Sequence, residues 1–239
     1  MTKFLKMKIR IVVFLLFLNS IYSNTQAQKS NEISVSFYPL FKNSVIDFNQ
    51  PAFYQIGIND SIQFDLLRFY ISGIQLLNDG KVMWEEQKSF HLIDANENLL
   101  SILIQPPLNI SYTEIKFNLG IDSITNVSGA MGGDLDPTKG MYWTWQNGYI
   151  NFKLEGKCSL CMTRNNEFQF HIGGYQFPFS SIQTINLLAE PQKNIYVDID
   201  LRKLIELNDL VNENNIVAPS KEAVLFSNQI ASVFSNRKK

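Results

Sequence analysis

The sequence predicts an all-β protein, a β-sandwich or Greek-key barrel of about nine or more strands with short helices towards the C-terminus. Three observations carry this expectation. Short stretches with apolar residues at alternate positions recur along the chain, separated by turn residues. No long stretch shows the 3.6-residue periodicity of an amphipathic helix. Phe and Tyr number 18 and 9, enough apolar bulk for a sizeable core.

In chain order, Ile33 to Tyr38 alternates as a half-buried strand. Ile62 to Leu76, which contains RFYISGIQL, reads as a short strand pair with Gly73 as a bulge. Phe90 to Ile93 is a strand that stops at Asp94 and a polar turn. Ser101 to Ile104 must end before Pro106-Pro107, because proline has no N–H for a ladder. Tyr112 to Leu119 places Ile115, Phe117 and Leu119 on one face. Trp143 to Lys153 reads as one long strand with a bulge near Asn147-Gly148. Glu167 to Ile172 places Phe168, Phe170 and Ile172 on one face, and Gly173-Gly174 turns the chain. Ile182 to Leu188 and Ile195 to Ile199 are further strands, whereas Asp200 to Leu210 and Glu222 to Phe234 read as short helices.

The N-terminus carries Lys3, Lys6, Lys8 and Arg10, then the apolar run Ile11 to Leu18, then a small-x-small exit at Thr25-Gln26-Ala27. This is the pattern of a secretory signal peptide, with cleavage after Ala27. The run falls short of the ~20 residues a spanning helix needs. With no cysteine next to the cleavage site a lipoprotein anchor is not expected. Residues 28–239 are then one domain, periplasmic or secreted, with no membrane span in the mature chain. The net charge of −1 and a charged fraction of 18% argue against nucleic acid and against an electrostatic membrane partner. Cys158 and Cys161, in Cys-Ser-Leu-Cys, form a small local disulfide or stay as free thiols; no βαβ context supports a thioredoxin-like motif and no second ligand pair supports zinc.

Residues 129–156 hold the densest chemistry. Two of the chain's three tryptophans lie here at alternate positions, so on one strand Met141, Trp143 and Trp145 would share a soft, oxidisable face. A core strand is the plainer alternative. The two histidines, His91 and His171, each fall inside an expected strand. Isolated strand histidines are commonly hydrogen-bonded core residues, yet neutral imidazole and thioether together suit copper, Cu(I) in particular. Asp134 and Asp136, with Asp122 upstream, offer oxygens for calcium, but the spacing fails the EF-hand pattern and a turn capped by Asp side chains is the favoured reading. Arg68 and Glu155 read as a structural ion pair.

The segments Arg68 to Ser72, His91 to Asp94, Gly120 to Asp122, Gly129 to Pro137, Gly140 to Trp145, Gly148 to Gly156 and His171 to Tyr175 occur in this order. Together they resemble the MbnP-like family, secreted copper-binding partners of methanobactin systems, over roughly residues 33–236. The Trp-x-Trp and His-Ile-Gly-Gly-Tyr segments are the specific ones. The resemblance implies a periplasmic β-sandwich that binds copper. It implies a di-haem partner of the MauG or cytochrome c peroxidase kind, able to oxidise a tryptophan to kynurenine, and a TonB-dependent outer-membrane transporter as a further partner. Carried over residue by residue, His91 and His171 match the family's histidine segments and would hold Cu(I), and Trp143 or Trp145 would be modified; Met141, from its own thioether chemistry, is a weaker candidate donor nearby.

The resulting expectation is an exported copper-binding protein active in copper acquisition or handling. The alternative is a periplasmic or surface binding module without metal, in which the aromatics line a core or a glycan-type groove. No Gly-x-Ser-x-Gly, metalloprotease helix or paired catalytic carboxylates point to an enzyme.

Overall fold

A computed structural model describes residues 31–146 and 148–237. The leader read over residues 1–27 lies outside them. In chain order the strands are β1 (Ile33–Phe41), β2 (Ser44–Val45), β3 (Phe53–Gln55), β4 (Ser61–Asn78), β5 (Lys81–Glu85), β6 (Phe90–Asp94), β7 (Ser101–Ile104), β8 (Glu114–Leu119), β9 (Tyr142–Trp143), β10 (Gly148–Cys158), β11 (Glu167–Gly173), β12 (Gln183–Leu188), β13 (Asn194–Asp200), β14 (Asn215–Ile216) and β15 (Phe234–Asn236). Three short α-helices join them: α1 (Ser123–Val127), α2 (Leu201–Glu206) and α3 (Lys221–Ala231). No helix among the described residues is long and apolar enough to cross a membrane.

The strands form a sandwich. One sheet runs β15-β13-β1-β2, with β7 also on β1; the other runs β12-β8-β4-β10-β11-β14, with β3, β5 and β6 on β4 and β9 on β10. β1 alternates strictly between buried and half-buried positions, as a strand with one core face must. Its inward Phe37 meets Phe69 and Phe117 of the opposing sheet edge-to-face, at 5.5 and 6.0 Å between ring centroids, the arrangement the ring quadrupole favours. The strand that pairs with β1 along most of its length is β13, in parallel, from the far end of the chain.

Two of the expected strands are built differently. Ile62 to Leu76 is not a strand pair: one continuous strand, β4, spans it, and Gly73, at φ +58°, bends the ladder where β8 takes over from β10 along one edge. The bulge falls where expected because a positive φ costs glycine little. Trp143 to Lys153 is not one strand either. The chain turns back after Trp143, and Trp143 pairs with Gly148 and Tyr142 with Tyr149 in a hairpin. Trp143 and Trp145 therefore do not share a strand face.

β4 is buried on both faces from Phe69 to Ser72, and β10 from Gly148 to Phe152. Their inner faces join the main core. Their outer faces are covered by the connection from β8 to β10, and Tyr70, Leu92, Ile121, Leu135, Met141, Trp143, Tyr149 and Ile150 form a second, smaller core there.

Candidate functional site

The outer core is pinned by tyrosines. The Tyr70 hydroxyl donates to the Asp134 carbonyl at 3.0 Å. The Tyr149 hydroxyl donates to the Leu135 carbonyl at 3.1 Å and accepts from the Met131 N–H at 3.1 Å. Their rings meet edge-to-face at 5.8 Å. Burial, with each other's hydroxyl and Asp134 close by, pushes the Tyr70 phenol up, so it serves as a neutral donor.

Each aspartate of the loop has partners of its own. Asp122 caps α1, accepting from the Thr125 N–H at 2.9 Å. Asp136 accepts from the Thr138 N–H at 2.8 Å. Asp134 pairs with Lys139 at 2.8 Å and accepts from the Leu92 N–H at 3.2 Å. Asp122 and Asp136 cap their own turns and Asp134 ties the loop to β6, so the three do not converge on one point. The Arg68–Glu155 pair expected from the sequence is not formed. Arg68 pairs with Asp94 at 2.7 Å and donates to the Lys139 carbonyl at 3.1 Å, while Glu155 accepts from His171 Nε2 at 2.7 Å and from Lys153 at 3.4 Å. The reason is register: Arg68 opposes Lys153, and Glu155 lies two residues further along.

The same register separates the histidines. Asp94, Arg68, Lys153 and His171 stand opposite one another across β6, β4, β10 and β11, and so point to one face, the outer one. His91 lies three residues from Asp94 and opposes Ile71 of the main core. Side chains alternate, so an odd offset puts His91 on the inner face. The two rings are on opposite faces of the sheet, and their strands are three spacings apart, about 14 Å. Each has its own carboxylate: His91 Nε2 meets Glu86 at 2.7 Å, as His171 meets Glu155. The two histidines do not fit a shared copper centre, contrary to the expectation. Among the described residues no group of three or more His, Cys, Asp or Glu side chains is placed to hold a metal.

His171 does meet the tryptophans' face. Gly173 follows two residues later on the same strand, and a Cβ built there would come within 2.7 Å of the Trp143 ring. Trp143 is 7% exposed and Met141 0%, both within the outer core. Trp145, in the turn, is 66% exposed, yet its ring lies 5.7 Å from that of Trp143. Hydrogen bonding to His171 holds the Glu155 carboxyl below its usual range, against a smaller opposing effect of burial and with help from Lys153. With Glu155 on Nε2, the ring keeps Nδ1 for another partner.

Beside the indoles lies a feature outside the sequence expectations. Residues 123–133, 140–152 and 172–189 contain no Asp, Glu, Lys, Arg or His. They meet around an open groove of about 550 Å³ lined by Val127, Ala130, Tyr142, Thr144, Tyr175 and Gln176. Phe177, 97% exposed, and the exposed Ile124, Val127 and Met131 lie on these same stretches. A run of eighteen residues without charge was the available signal.

Comparison with known proteins gives a consistent result. The MbnP family model matches residues 30–222. The solved structure of MbnP from Methylosinus trichosporium superposes with a TM-score of 0.62 at 14% identity, over 82% of this chain and 88% of that one, a likeness of fold. No curated protein matches the chain.

Proposed function

Because the chain belongs to the MbnP family, we propose that it is an exported, non-enzymatic copper-handling protein whose working surface is the outer face of the large sheet at His171, Trp143 and Trp145. The packing of Trp143 over Gly173, two residues from His171 on the same strand, is the observation that supports this. It gathers one imidazole, two oxidisable indoles and the buried Met141 on one side of the sheet. His91, on the other face, takes no part.

The partner in this reading is a di-haem peroxidase. It removes electrons from the exposed Trp145, and the adjacent ring of Trp143 extends the path inward. Opening an indole to N-formylkynurenine adds two oxygen atoms; drawn from two peroxides, they leave two waters. Hydrolysis then releases formate and leaves kynurenine, whose aniline nitrogen and ketone add donors beside His171. The uncharged surroundings of Trp145, with Phe177 and Met131 exposed on the neighbouring stretches, suit docking, since interface cores are depleted of charge and enriched in aromatic residues and Met.

A binding module without metal is the second reading. It is favoured by the carboxylate on each histidine. Anaerobic Cu(I) loading with copper quantification, run beside intact mass before and after treatment with partner and peroxide, separates the two. Stoichiometric copper with a tryptophan-specific gain of mass is expected. No copper in either sample would assign the second reading.

A further inference from the structure

We propose that Cys158 and Cys161 are a disulfide site, closed across the tight turn that ends β10. Cys158 is the last residue of β10, Ser159-Leu160 form the turn, and the Cys161 N–H donates to the Cys158 carbonyl at 3.0 Å. That i to i+3 bond defines a β-turn, in which the outer Cα atoms lie within about 7 Å. A disulfide needs about 4.4–6.8 Å. Direction matters as much as distance. Both side chains are 1% exposed and enter the same core cluster, and the two thiols lie within hydrogen-bonding reach of each other.

The surroundings bear on when the bond forms. Both thiols are free in the structure, and the Cys161 thiol donates weakly to the Leu210 carbonyl at 3.6 Å. Burial, with Cys158 alongside, pushes the Cys161 thiol up to about 12. The attacking species in thiol–disulfide exchange is the thiolate. A folded, reduced chain is therefore slow to react, and closure belongs to the stage before the core is packed. Two thiols lose two protons and two electrons, one S–S bond forms, and the electrons pass to a disulfide oxidant that leaves as two thiols. Closure also withdraws the strongest Cu(I) donors in the chain, because soft thiolates bind Cu(I) ahead of imidazole, and leaves copper to the outer face.

In the cell the inference rests on the export in the proposed function, but refolding in vitro tests it without that premise. The full chain is reduced in denaturant and refolded in a mixture of reduced and oxidised glutathione. It is then denatured, alkylated and weighed, with and without prior reduction. No alkyl groups before reduction and two after are the expected result. Two alkyl groups before reduction, or stable mixed disulfides with glutathione, in chain whose near-UV spectrum shows it refolded, would overturn it. The Cys158→Ser variant, which cannot close, is expected to take one alkyl group or one glutathione under the same conditions. Export is scored separately by the leader-cleaved mass, so failure of one leaves the other standing.

Discussion

The ring of Trp143 occupies the space in which a side chain at residue 173 would stand, 2.7 Å from where the Cβ of Gly173 would be. The Tyr149 carbonyl is equally close to that Cβ, so Gly173→Ala is expected to strain β10 there and push the indole out of the outer core. Overpacking of this kind costs about 1–3 kcal/mol. Denaturant unfolding should show the loss, and tryptophan fluorescence should shift to the red as the ring is hydrated.

Arg68 and Asp94 tie the loop to the sheet. Asp94 is nearly buried, and its partner also reaches the Lys139 carbonyl. Arg68→Ala leaves a carboxylate without its counter-charge in a poor solvent, and removing one member of such a pair costs about 3–5 kcal/mol. Urea unfolding is expected to show a loss towards the lower end of that range. Amide exchange should quicken around 139–140 more than in β1.

Acid should act through Glu155. Its carboxyl is held low, mainly by its hydrogen bond to His171. A group with a depressed folded value contributes stability that is fully present above its unfolded value, here 4.5, and lost as pH falls through the lower folded value. The stability gap between the native chain and Glu155→Gln is expected to be widest near neutral pH and to close below pH 4.5. A gap that did not change with acid would contradict the pairing.

Most strands were legible because alternation is local. β1, β8 and β11 place Phe37, Phe117 and Phe170 where a period of two puts them. The parts that were not legible depend on pairing between distant segments. No local pattern says that β13 lies parallel to β1, or that β6 and β11 flank β4 and β10 so that His91 and His171 face opposite ways. The Trp143–Gly148 hairpin was hidden because aromatic alternation continues through the turn. Arg68 found Asp94 rather than Glu155 for the same reason: the choice was made by register. The uncharged groove beside Trp145 could have been found from composition alone.

Treatment with a di-haem partner and peroxide is expected to oxidise Trp143 or Trp145 and spare Trp84, which packs against the main core on β5. Peptide mapping reads this directly. Oxidation confined to Trp84 would remove the proposed role of the indole pair while leaving copper handling open.

In the proposed function copper is handled on the outer face, at His171, and not between the two histidines. Anaerobic Cu(I) titration of partner-treated His91→Ala and His171→Ala, each confirmed folded by circular dichroism, tests it most directly. His91→Ala is expected to keep the full stoichiometry and His171→Ala to lose it. Equal loss in both variants would restore the two-histidine site and contradict the register that separates them.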